Sequence, residues 1–73
     1  MTEVEIKTES IQLAQFLKWT NIVASGGEAK LLIQSGQVSV NGQVETRRSV
    51  KLYAADVVTL TSGEEFVLRA PES

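Results

Sequence analysis

Apolar and charged residues alternate near the N-terminus, where Val4 and Ile6 interleave with Glu3, Glu5 and Lys7. Period two predicts a short, half-exposed strand. Leu13, Phe16 and Leu17 then recur at three- and four-residue spacing beside Ala14, which predicts a short amphipathic helix. The residues around Asn21 and Ile22 form the connection out of it. A second helix, roughly residues 26–35, has the sharpest start signal in the chain. Ser25 followed three residues later by Glu28 is a capping box, in which each side chain can satisfy the other residue's backbone N–H. Ala29, Leu32 and Ile33 make its buried stripe, while Lys30 and Gln34 point elsewhere. Gly36 stands where a left-handed cap ends the helix.

Beyond that helix the period returns to two. Val38-Ser39-Val40 and Gln43-Val44-Glu45 flank Asn41-Gly42, a pair suited to the two positive φ angles of a tight hairpin. A two-residue loop pairs Val40 with Gln43 and Ser39 with Val44, so Val38 and Val40 share one face and Val44 lies on the other. Val50 and Leu52 predict another short extended segment. Ala54-Ala55-Asp56 reads as a turn, and Val57–Leu60 as a β-branched strand. Ser62-Gly63 with two glutamates marks a further turn, Phe66–Leu68 a closing strand, and Pro71 the end of regular structure. The order β, α, α and then several strands is an α+β layout.

Seventy-three residues, 42% hydrophobic and 22% charged, fit one domain over residues 1–73, with one small core. The chain has no cysteine and no histidine. That removes disulfides, thiolate nucleophiles, cysteine zinc sites and the commonest general base. The carboxylates do not pair as an acid–base site, and they form no cluster suited to magnesium. No catalytic residue, metal ligand or cofactor is expected. No apolar run has the length of a membrane span, and the acidic N-terminus is unlike a signal peptide, so the expected location is cytoplasmic.

The net charge of −2 argues at first against nucleic acid. Resolved along the chain, it changes meaning. Residues 1–17 carry −2 and residues 52–73 carry −3, whereas residues 18–51 carry +3 through Lys18, Lys30, Arg47, Arg48 and Lys51 against Glu28 and Glu45. Within this basic middle, Gly26-Gly27 at a helix start would let a phosphate approach unpaired N–H groups, with Lys30 one turn on. A tight turn into a capped helix explains the same glycines. Arg47-Arg48, near Lys51, could track phosphates or simply pair with Glu45 in solvent. Trp19, beside Lys18, suits either base stacking or a partly buried helix end, and the second is the commoner use of a lone tryptophan. Asn41 could bond a nucleotide, although its role in the turn is explanation enough.

The ordered set Leu13-Ala14-Gln15-Phe16-Leu17-Lys18, Ser25-Gly26-Gly27-Glu28-Ala29-Lys30, Gly36-Gln37-Val38-Ser39-Val40-Asn41-Gly42, Arg47-Arg48 and Asp56-Val57-Val58 resembles the S-four RNA-binding domain, or αL motif. The likeness spans about residues 11–60 and is greatest to the stand-alone bacterial YaaA/YbcJ-like subfamily. It implies two short helices packed on a small antiparallel sheet, with structured RNA, including ribosomal RNA, bound across the second helix and the following hairpin. Carried over by position, Ser25, Gly26, Gly27 and Lys30 lie at an RNA-facing helix entry and Asn41 at the hairpin tip. Arg47, Arg48 and Lys51 extend the basic surface, with Lys18 at its rim. Many members of the wider superfamily have arginines where this chain has Gly26 and Gly27, and a Gly-Asp pair where it has Ala55-Asp56. The expected protein is a non-catalytic monomer that binds RNA and no membrane. The alternative, favoured by the acidic ends and the paired glycines, is a protein-interaction adaptor on the same fold with little RNA affinity.

Overall fold

The computed structural model describes residues 1–71; Glu72 and Ser73 lie outside the described residues. Nine elements follow in chain order: β1 (Thr2–Glu5), β2 (Ser10–Gln12), α1 (Leu13–Trp19), α2 (Gly26–Gln34), β3 (Val38–Val40), β4 (Gln43–Val44), β5 (Lys51–Tyr53), β6 (Val57–Leu60) and β7 (Glu65–Arg69). β1, β7, β6, β3 and β4 form one sheet in that order, and β2 pairs with β5 in a separate ribbon. The fold is α+β, and both sheets are antiparallel except at one seam. There β1 runs parallel to β7, with Thr2 opposite Phe66 and Glu5 opposite Arg69. Strand β2, its pairing with β5 and the parallel pairing of β1 with β7 are additions to what the sequence led us to expect.

Both helices end in the same way. After α2 the Gly36 N–H reaches the Ile33 carbonyl at 3.1 Å and the Gln37 N–H reaches that of Leu32 at 3.4 Å. With Gly36 at φ +79°, this is a Schellman cap. After α1 the Asn21 N–H bonds to Lys18 at 3.1 Å and the Ile22 N–H to Leu17 at 3.0 Å, with Asn21 at φ +62°. An asparagine thus fills the left-handed position that glycine fills in the second helix. At the start of α2 the Ser25 hydroxyl accepts the Glu28 N–H at 3.3 Å. The return arm differs from the expected box, because the Glu28 carboxylate accepts the N–H of Ala24, at 3.5 Å, one residue before Ser25.

The β3–β4 hairpin has the expected register, Val40 opposite Gln43 and Ser39 opposite Val44. Positive φ at Asn41 (+52°) and Gly42 (+85°) makes its loop the type whose twist matches the strands. One face of the large sheet supplies Val38, Val58, Leu60, Phe66 and Leu68 to the core. Leu13, Phe16 and Leu17 of α1 and Ala29 and Ile33 of α2 close over it. Phe16 meets Phe66 edge to face, ring centres 6.3 Å apart, and no polar or charged residue is buried among the described residues. Trp19, by contrast, is half exposed at the end of α1, and its indole N–H bonds to the Glu5 carbonyl at 3.3 Å.

Candidate nucleic-acid interface

The basic segment is positioned through its backbone. The Arg48 carbonyl accepts the Ala14 N–H at 3.1 Å, and the Val50 carbonyl accepts the Leu13 N–H at 2.9 Å. These bonds occupy donors that the first turn of a helix cannot satisfy internally, and α1 has no side-chain cap of its own. The loop after β4 is therefore pinned to the start of α1 through its backbone, while the side chains of Arg47 and Arg48 are exposed and Val50 packs against the core. Lys18 lies in the last turn of the same helix. Seven helical residues span about 10 Å, so Lys18 and the arginine pair flank opposite ends of α1.

The candidate side chains divide by what already holds them. Those of Lys18, Lys30, Arg48 and Lys51 are exposed and make no hydrogen bond or ion pair among the described residues. Arg47 is partly engaged, its Nε lying 3.3 Å from the Glu45 carboxylate, which also accepts the Arg47 backbone N–H at 3.1 Å. The backbone bond first, and the guanidinium second, hold the Glu45 carboxyl below its ordinary titration range. The terminal nitrogens of Arg47 keep their donors. Gly26 and Gly27 are exposed at the helix entry, and a Cβ at Gly26 would meet nothing within 4 Å.

Ser25 and Asn41 are committed within the fold. The Ser25 hydroxyl serves as the cap of α2. The Asn41 amide bonds to Asp56 Oδ1 at 3.1 Å and accepts the Val57 N–H at 2.9 Å. Asp56 Oδ2 in turn accepts the Tyr53 N–H at 2.8 Å, so Asn41 and Asp56 tie the hairpin tip to the β5–β6 turn. That turn contains Ala55 at φ +75°, a left-handed conformation in a residue with a Cβ.

The parallel seam joins the two acidic ends, with Glu5 on β1 opposite Arg69 on β7, and the Arg69 guanidinium pairs with the Glu3 carboxylate at 3.3 Å. The hairpin that leads into the basic loop forms the opposite edge of the sheet. Four strand spacings separate those edges by about 19 Å. One exposed residue near the basic loop escaped the sequence reading. Tyr53 is 52% exposed and shares a face of β5 with Lys51, because the intervening Leu52 is buried. Its signal was the alternation Lys51-Leu52-Tyr53.

Among the described residues, no group of three or more His, Cys, Asp or Glu side chains is placed to hold a metal. No helix there is long and apolar enough to cross a membrane. Comparison with known proteins gives consistent matches. The chain is 44% identical over 57 residues to a Bacillus subtilis protein named "Probable ribosome maturation protein RlbA", a span covering 78% of this chain and 80% of the relative. It is 40% identical over 53 residues to YbcJ of Escherichia coli, covering 73% of this chain and 76% of the relative. The solution structure of Escherichia coli YbcJ, described as revealing an αL motif involved in RNA binding, superposes with a TM-score of 0.71 over 96% of this chain and 89% of that one, at 34% identity. Ribosomal protein S4e of Thermoplasma acidophilum shares the fold over 81% of this chain and 31% of its own, with a TM-score of 0.59 and 22% identity. The family described as S4 domain matches residues 4–68, from β1 into β7. With that span and relatives at 40–44% identity, the chain belongs to the S4 domain family.

Proposed function

We infer that this protein is a non-catalytic RNA-binding module acting on structured RNA of the ribosome or its precursors. The observation that carries the reading is that Lys18, Lys30, Arg48 and Lys51 of the basic middle segment are exposed and unpaired, as Lys7 is outside it, in an S4-family chain of net charge −2. RNA affinity rests largely on phosphate neutralisation, and a lysine or arginine already paired with a carboxylate contributes less to it. Arg47 adds a partly engaged fork, and the open entry at Gly26 and Gly27 lets a backbone come close to α2. Ser25 and Asn41 act by positioning these neighbours. The names of the Bacillus subtilis and Escherichia coli relatives support ribosomal and RNA-related roles, respectively. The carboxylates of the chain's two ends, of which Glu3 is already paired with Arg69, weaken indiscriminate attraction of RNA and so favour fit by shape.

The test is a titration of a structured ribosomal RNA fragment at several salt concentrations, with wild type and an Arg47→Ala/Arg48→Ala/Lys51→Ala variant. Each lost phosphate contact should flatten the slope of log affinity against log salt by about 0.7–0.9. Equal affinity and equal slope for the two proteins would remove the basic loop from the interface. Failure of the wild type to bind any structured RNA would favour an adaptor with little RNA affinity.

A further inference from the structure

The two exposed flanks of α2 differ in chemistry. At about 100° per residue, Gly26, Lys30 and Gln34 fall on one side of the helix axis and Glu28, Leu31 and Leu32 on another, with Ala29 and Ile33 buried between. The second flank borders an open groove of about 680 Å³, whose other walls are the α1–α2 connection and the β6–β7 turn. Its apolar lining is Ile22, Val23, Leu31, Leu32 and Leu60. Leu31 is 71% exposed, so it forgoes the hydrophobic stabilisation that Ile33, two residues on, obtains by burial. The signal in the sequence was Leu31-Leu32, two adjacent leucines of which a helix can turn only one toward the core.

The groove's charged side chains are Glu28 and Glu64, and no lysine or arginine lines it among the described residues. Two carboxylates over an apolar floor repel phosphate, so RNA is a poor occupant. A symmetric contact with a second copy would set the same carboxylates against themselves. Charge complementarity instead favours a cationic segment. We propose that this groove docks a segment of a protein partner carrying one or two apolar side chains flanked by lysine or arginine. The apolar groups cover Leu31 and Leu32, and the cations meet Glu28 and Glu64. Protein contact and nucleic-acid contact then occupy separate flanks of one helix, and neither depends on the other.

Short randomised peptides displayed on phage test this, selected on the wild-type protein alone and then measured for binding to a Leu31→Ser/Glu64→Lys variant. Both positions are exposed, and matching thermal melts establish that the variant is folded. The recovered peptides should combine an apolar residue with lysine or arginine and bind the variant at least about tenfold more weakly. They should also shift the amide resonances of Val23, Leu32 and Leu60 and leave those of Lys30 and Arg48 in place. Recovery of acidic peptides, equal binding to the variant, or no enrichment at all would overturn the proposal. So would a structured RNA that shifts the groove amides, or self-association of the wild type that the variant abolishes.

Discussion

Ala55 holds a conformation that its side chain opposes, and replacing it with glycine should stabilise the protein. At φ +75° its Cβ crowds the following carbonyl, at a cost of roughly 1–2 kcal/mol. Glycine escapes that cost but loses more chain entropy on folding, about 0.4–1 kcal/mol. The difference predicts that Ala55→Gly raises stability by about 0.8 kcal/mol. In a domain of this size that is a rise of about 3–6 °C in Tm. Alanine is tolerated because its surroundings over-determine the turn. The Ala55 N–H bonds to the Leu68 carbonyl at 2.8 Å, and the Asp56 N–H bonds to that of Tyr53 at 3.1 Å. The Asp56 carboxylate then grips the Tyr53 N–H and the Asn41 amide. Thermal and urea melts of wild type and Ala55→Gly are the assay, with an unchanged urea slope as the sign that only stability has moved. Gly36→Ala provides the opposite case, since φ is +79° there, and by the same difference should cost about 0.8 kcal/mol. A lower Tm for Ala55→Gly, together with a harmless Gly36→Ala, would refute the strain argument.

Three further outcomes follow from the local geometry. Ser25→Ala removes the acceptor of the Glu28 N–H and should cost about 1 kcal/mol, read as a lower urea midpoint. Asn41→Gly keeps the positive φ but deletes the amide clamp, so it should cost about 1 kcal/mol and speed hydrogen exchange at Val57, whose N–H loses its acceptor. Glu45 has a lowered pKa in the folded protein, so its bonds to Arg47 contribute fully above the titration range of an unfolded glutamate, about pH 4.3 and up, and are lost as pH falls through the lower folded value. A carboxyl NMR titration should place the Glu45 midpoint below that of a free glutamate, with the Arg47 amide resonance following it.

Local chemistry made much of the fold legible. Ser25, Glu28 and Gly36 bracket α2 because a cap and a left-handed stop act within one turn, and Asn41-Gly42 sets the register of β3 on β4 for the same reason. The capping box erred by one residue at its return arm, because a glutamate side chain can reach either of two neighbouring amides. The parallel seam was not legible, since its partners Glu3 and Val67 lie at opposite ends of the chain and nothing local selects that pairing. The β2–β5 ribbon escaped for a related reason: Ser10-Ile11-Gln12 is too short to show a period. In the candidate site, charge and spacing singled out the cations, but which of them were already engaged depended on contacts such as Glu45 with Arg47. The commitment of Asn41 to Asp56, fifteen positions away, likewise appears only once β3 and β6 lie side by side.

The seam also sets an order of events. β1 is made first, yet its neighbour in the sheet is β7, which is made last. While the chain is being synthesised, Val4 and Ile6 stay without their strand partner, although the helices and the β3–β4 hairpin can already form from contacts close in sequence. Completion of the sheet is therefore deferred until almost the whole chain is available. A chain cut short before Glu65 loses more than its final strand: it leaves β1 with no place to pair, and both ends of the domain come undone together.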